Sequence, residues 1–176
     1  MLDGRVYAMA GGTFNHAIIC GNTLAAAKAA LRGKECRACN SELRVKIASN
    51  GQEVYPDALI FCTPARFVGK GDSTLLTPKV VFEVLSETTE KYDRTGKFNL
   101  YKTIDTFEEY VLIEQDRIYI DHFWKKGDDW LHRSYAQRND MLKLHSVGVE
   151  IGLDEIYDEL ELPESLFGFA PVTERE

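Results

Sequence analysis

The sequence predicts an α/β or α+β domain in which a mixed, curved β-sheet is flanked by helices, and three observations carry that expectation. A helical pattern runs from Thr13 to about Leu31 after a strand-like segment. Two short apolar runs, Val54 to Cys62 and Val80 to Leu85, are continuous enough to be covered on both faces, as central strands are. From Glu109 onward, β-prone segments follow one another across tight turns.

Gly4 to Ala10 reads as a strand that ends at Gly11-Gly12. Thr13 is an acceptable N-cap for the helix that follows, Phe14, Ala17, Ile18, Leu24 and Ala27 make its expected buried stripe, and Gly33 lies just past its end. A strand around Leu43 to Ile47, a turn at Asn50-Gly51 and the strand carrying Asp57 form a hairpin pattern. Thr63 to Thr77, with Gly69, Gly71 and a proline near each end, reads as a mobile surface loop, and Pro78 leads into the strand carrying Glu83. Thr89 to about Thr103 has a helical pattern. Glu109 to Ile113 and Arg117 to Trp124 read as strands, and Lys126-Gly127-Asp128-Asp129 turns the chain into Trp130 to Ala136. After Leu142 to Leu144 and Val147 to Glu150, a short helix is expected from near Asp154 to near Leu160, with a loosely held tail from Pro163.

At 176 residues the chain is most simply one domain over 1–176, with enough length for a sizeable core. Its net charge of −7 argues against coating nucleic acid indiscriminately, since such binding runs on many Lys and Arg neutralising phosphates, but leaves room for an enzyme that meets phosphates through divalent cations. Positive charge gathers locally at Lys28-Arg32-Lys34-Arg37, at Arg44-Lys46 and at Lys91-Arg94-Lys97-Lys102, where solvated faces are an equally good explanation. No apolar run approaches membrane-spanning length and the first residues make no secretory signal, so the expectation is a cytoplasmic protein with no membrane partner. Of the four cysteines, Cys20, Cys36, Cys39 and Cys62, the middle pair has the spacing of half a zinc site with no second half. All four are expected to be reduced thiols.

Asp57 and Glu83 stand alone in the two apolar runs. A carboxylate facing the interior costs roughly several kcal/mol unless a cation, a donor set or a metal compensates it. Two such acids on neighbouring strands can hold a hard, oxygen-ligated cation such as Mg²⁺ or Mn²⁺, and phosphodiester hydrolysis is the natural chemistry of that arrangement. Asp93, Lys97 and Tyr101 recur at four-residue spacing and share one helix face, either as an ordinary ion pair or as a cation aimed at the reacting phosphate. His16 sits one turn into the first helix, where a hydrogen-bonding role is the common one.

At these residues the chain resembles the Uma2 family, described as endonucleases and also as a domain of unknown function, within the PD-(D/E)XK superfamily. The matching blocks come in order: Leu2-Asp3-Gly4-Arg5-Val6-Tyr7-Ala8-Met9, then His16, Pro56-Asp57, Phe82-Glu83-Val84-Leu85-Ser86, Thr89 with Asp93, Lys97 and Tyr101, Glu109 to Ile113, and Val149 to Tyr157. The resemblance implies a restriction-endonuclease-like core, Asp57 and Glu83 as ligands of Mg²⁺ or Mn²⁺, DNA as substrate and a possible homodimer. The superfamily's lysine normally follows the second acid by two residues; here that position is Leu85, and the role is expected to move to Lys97. Asp93 and Tyr101 would brace the same face, with His16 approaching from the first helix. A glutamate common in the family just upstream of the Asp-Gly turn would fall before Met1, so either the numbered start is internal to a longer product or one acid of the expected site is missing. The alternative function is a catalytically inactive nuclease-fold module that binds nucleic acid or protein.

Overall fold

A computed structural model of the chain describes residues 12–164. The expected strand at 4–10 and the tail beyond 164 lie outside the described residues. Thr13 caps the first helix, α1 (Phe14–Ala30), by accepting the His16 backbone N–H at 3.2 Å. Its buried stripe is Ile19, Thr23, Ala26 and Ala27, whereas Phe14 and Ala17 are exposed. The expected stripe is rotated because apolar and small residues surround this helix on every side, so periodicity alone does not select the inward face.

The chain continues through β1 (Cys36–Asn40), β2 (Arg44–Lys46), β3 (Glu53–Val54), β4 (Ala58–Cys62), β5 (Phe67–Val68), β6 (Thr74–Leu75) and β7 (Val80–Val84). A π-helical stretch, Tyr92–Lys97, runs on into α2 (Phe98–Tyr101), and β8 (Glu109–Ile113), β9 (Ile120–Lys126), β10 (Asp129–Tyr135), β11 (Met141–Leu144), β12 (Val149–Gly152) and α3 (Leu153–Ile156) follow. Six strands form the central sheet in the order β1-β4-β7-β8-β9-β10, antiparallel except for the parallel β7–β8 pair. That parallel pair needs a crossover, and the π-helical stretch with α2 supplies it. The expected α+β class, a mixed sheet flanked by helices, is therefore the fold observed.

Strand alternation sorts β7 into two faces. Val80, Phe82 and Val84 pack toward α1, α3 and the β11–β12 hairpin, while Val81 and Leu85 pack with Phe98, Tyr101 and Tyr110 on the other side. Phe82 is fully buried, and burying such a side chain contributes about 1.5–3 kcal/mol. Glu83 shares the face of Val81 and Leu85, the α2 side of the sheet.

Three expectations are corrected here. The 63–77 segment is not a mobile loop: β6 pairs in parallel with β2 and antiparallel with β5, Leu75 is fully buried, and a second sheet of order β3-β2-β6-β5 results. The single strand expected over Val54 to Cys62 is two strands, β3 in the small sheet and β4 in the central one. Pro56 has no N–H to continue a ladder, and the chain changes sheets there. Finally, Cys36 and Cys62 are not reduced thiols but a disulfide. The antiparallel β1–β4 register sets them directly opposite each other, a long-range pairing that the Cys36–Cys39 spacing does not suggest. Cys20 and Cys39 are free thiols, as expected.

Candidate active site

Asp57 stands one residue before β4, and the register that pairs Ala58 with Phe82 sets it opposite Glu83 when extended by one position. Its Oδ2 accepts the Val84 backbone N–H at 2.8 Å, which fixes the carboxylate at the C-terminal end of β7. Glu83 has a side chain only 2% exposed. Lys97 Nζ donates to Glu83 Oε2 at 2.7 Å, the Tyr101 hydroxyl donates to Oε1 at 3.2 Å, and Lys97 also lies 3.5 Å from Asp93 Oδ1. His16 Nε2 approaches Asp57 Oδ2 to 3.7 Å from α1. All six side chains singled out from the sequence thus gather at one end of the parallel β7–β8 pair.

The elements around them explain the placement. A π-helical stretch widens the turn of the chain, and such stretches recur at functional sites. Here the Tyr110 hydroxyl on β8 donates to the Asp93 carbonyl oxygen at 2.9 Å. Gly96 is required under the Tyr92 ring, where a β-carbon would lie 2.7 Å from a ring atom. Arg94 anchors the opposite side of the stretch, pairing with Glu90 and Asp121 at 2.8 Å each and with Glu114. Burial pushes Asp121 up, but hydrogen bonds with His132, Arg94 and Ser134 outweigh it and hold the carboxyl at about 2. The start of α1 is latched by Gln115: Thr13 Oγ1 donates to its side-chain oxygen, Asn15 Nδ2 to its carbonyl at 3.1 Å, and Gln115 Nε2 donates to Leu85 O at 2.8 Å. This holds His16 over Asp57.

Among the described residues, three carboxylates face one ammonium. Burial pushes Glu83 up to about 8 against the pull of Lys97, with Asp57 and Asp93 adding to the rise. Asp57 is also raised, chiefly by burial and despite the Val84 N–H. Burial works against the charge on Lys97, but Glu83, Asp93 and Asp57 outweigh it and raise its pKa, so it stays an ammonium. Tyr101 is held well above its ordinary value by burial and Glu83, so its hydroxyl is a donor. The cluster opens into a cleft of ≈ 1250 Å³ lined among others by Thr13, His16, Tyr55, Asp57, Glu83 and Lys97. An oxygen-only pair from two adjacent strands, short of positive charge and open to a cleft, suits a hard divalent cation.

Two contributors escaped the sequence reading. Gln115 uses both polar atoms of its side-chain amide in the latch, the oxygen accepting from Thr13 and the nitrogen donating to Leu85 O, and nothing in its local sequence marks it. Cys20 lies beside His16, with Sγ 3.5 Å from Nδ1; the i,i+4 spacing of the two on one helix was the available signal.

The model of the Uma2 family, described as "Putative restriction endonuclease", matches residues 1–154. The chain is 36% identical over 156 residues to the uncharacterized protein slr1290 of Synechocystis, spanning 88% of this chain and 80% of that one. A second uncharacterized Synechocystis protein, sll1609, is 28% identical over 131 residues, 74% of each chain. Among solved structures, the crystal structure of "a putative nuclease belonging to DUF820" from Anabaena variabilis superposes with a TM-score of 0.65 over 82% of this chain and 81% of that one, at 15% identity, and so shares the fold. No described helix is long and apolar enough to cross a membrane. With the family pattern matched across most of its length and a relative of more than one-third identity, the chain belongs to the Uma2 family.

Proposed function

We propose that this chain is a Mg²⁺- or Mn²⁺-dependent endonuclease that hydrolyses DNA phosphodiester bonds, with Asp57 and Glu83 holding the metal. The observation that carries the reading is that, among the described residues, the three acids Asp57, Glu83 and Asp93 meet one ammonium, Lys97, and one imidazole, His16, at the wall of an open cleft. A divalent cation would offset the negative charge of the acids and bring Glu83 back to its ionised form. Bound there, it would supply Lewis-acid charge to water and to a phosphoryl oxygen.

The chain's own groups do the rest. Asp57 is kept in place by the Val84 N–H and Glu83 by Tyr101, so neither carboxylate must reorganise when a ligand arrives. Lys97 keeps its proton among three acids and can offset negative charge that builds on the phosphate during attack. Asp93 positions Lys97 from one turn away. His16 is close enough to Asp57 to orient it. Cutting both strands of a duplex needs two such sites, and β10, at one edge of the central sheet, offers a ladder through which two copies could pair as a homodimer. DNA is the proposed partner.

Cleavage of supercoiled plasmid in Mn²⁺ tests the reading. The wild-type chain should nick or linearise it, and Asp57→Ala and Glu83→Ala should not, with circular dichroism unchanged. Cleavage by either variant at the wild-type rate contradicts the assignment. One observation favours a second reading, an inactive nuclease-fold module: both Glu83 oxygens and one Asp57 oxygen already have protein donors. That reading predicts no metal-dependent cleavage by the wild-type chain and retention of nucleic acid or protein binding.

A further inference from the structure

The helix that carries His16 places a thiol beside the proposed metal ligands. Cys20 is one turn further along α1, on the same face, and one donor atom from each of His16, Cys20 and Asp57 lies within 4.8 Å of the other two. The 3.5 Å between Cys20 Sγ and His16 Nδ1 is close to the span of about 3.6 Å that a sulfur and a nitrogen ligand take on one tetrahedral zinc. Gly12 keeps that nitrogen open: a β-carbon there would stand 2.9 Å from His16 Nδ1. Nitrogen, sulfur and carboxylate oxygen from three side chains differ in kind from the oxygen pair of Asp57 and Glu83. Thiolate and imidazole select borderline and soft metals such as Zn²⁺, and carboxylate pairs select Mg²⁺ and Mn²⁺.

We propose that His16, Cys20 and Asp57 form a zinc site that overlaps the nuclease metal site through Asp57, so that Zn²⁺ at micromolar concentrations silences the Mg²⁺-dependent activity. The zinc site stands on its own ligands; the silencing rests on the nuclease reading above. Binding forms the zinc–sulfur bond and releases the Cys20 thiol proton to solvent, with no change of oxidation state. It also draws the Asp57 carboxylate toward α1 and away from Glu83. The two metals then compete for one carboxylate rather than adding.

Co²⁺ serves as the spectroscopic stand-in for Zn²⁺. Titrated into the full chain, it should develop thiolate-to-cobalt charge-transfer absorption, which Zn²⁺ should bleach. Cys20→Ser and Cys20→Ala should both lose that band and weaken Zn²⁺ binding by at least ~10-fold, whereas Cys39→Ser, which removes the other free thiol, should keep it. Mn²⁺ binding, followed by calorimetry, should survive in Cys20→Ser, and its cleavage activity should need roughly tenfold more Zn²⁺ for inhibition. Absence of the band in the wild-type chain, or its persistence in both Cys20 variants, overturns the zinc site while leaving the nuclease reading intact. The band with no Mn²⁺ binding would support the zinc site and sink the nuclease metal site.

Discussion

Two glutamates buried on neighbouring strands of one sheet have opposite fates. Glu83 on β7 is 2% exposed, Glu109 on β8 is fully buried, and the two lie on opposite faces of the parallel pair. Glu109 is met by donors on every side: His122 at 2.6 Å, the His145 backbone N–H at 3.2 Å and the Ser146 backbone N–H. Burial pushes it up, but His122 and Ser146 outweigh that and hold it below its ordinary value. It is a clamp, tying the turn between β11 and β12 to the sheet. Burial pushes Glu83 up against the pull of Lys97, and two more carboxylates add to the rise, so its proton is retained to about 8. Burial of an acid therefore does not mark a functional site. What marks it is a deficit of positive charge that the protein leaves open to a cleft.

The largest expected effect separates the two by activity. Glu83→Gln should lower Mn²⁺-dependent cleavage by more than about 10³-fold while the protein stays folded. Glu109→Gln should leave cleavage per folded molecule within about twofold, and should instead set an amide NH₂ against buried donors from which a carboxylate oxygen now accepts, at a cost of about 3 kcal/mol, a fall in Tm of roughly 10 °C. Loss of cleavage in a folded Glu109→Gln protein would erase the distinction.

Lys97→Met sharpens the comparison from within the site. It should slow cleavage by about 10²-fold, with Mn²⁺ affinity changed much less. An equal loss of both would make Lys97 a structural partner of Glu83 and nothing more.

Proton linkage gives a third contrast, with opposite signs at the two acids. The folded pKa of Glu83 lies above the unfolded value of 4.5, so between about 5 and 8 the native state holds the extra proton and stability of the metal-free protein falls as pH rises. Glu109 is lowered, so its contribution is present above 4.5 and is lost as pH falls through its folded pKa. In urea titrations across this range, Glu83→Gln should flatten the alkaline decline and Glu109→Gln should not. The smallest effect is expected at the α1 latch, where Thr13→Ala removes the cap and the Gln115 contact for about 1 kcal/mol.

Much of this arrangement was legible in the sequence because it is local. The β8 bounds and most of the β7 run follow from short apolar segments, and the α1 start from Thr13. Asp57 and Glu83 stand out because each interrupts such a segment. The small sheet was not legible: β5 and β6 are two residues each, β5 is held by β6, and β6 is held by a parallel pairing to β2 from some thirty residues away, which leaves no periodicity behind. The Cys36–Cys62 bridge and Gln115 are hidden for the same reason. Glu109 heads an apolar strand much as Glu83 sits within one, and only the fold reveals that its donors come from β9 and the β11–β12 turn. The shared face of Asp93, Lys97 and Tyr101, by contrast, could be read from spacing, although its meeting with Glu83 and the π-helical stretch between Tyr92 and Lys97 could not.

The most direct test of the central claim is calorimetric titration of Mn²⁺ into the wild-type chain, Asp57→Asn, Glu83→Gln and Glu109→Gln. The account predicts binding by the wild type and by Glu109→Gln, and its loss in the other two. Binding that survives in Asp57→Asn and Glu83→Gln, or that is lost in a folded Glu109→Gln, would contradict it.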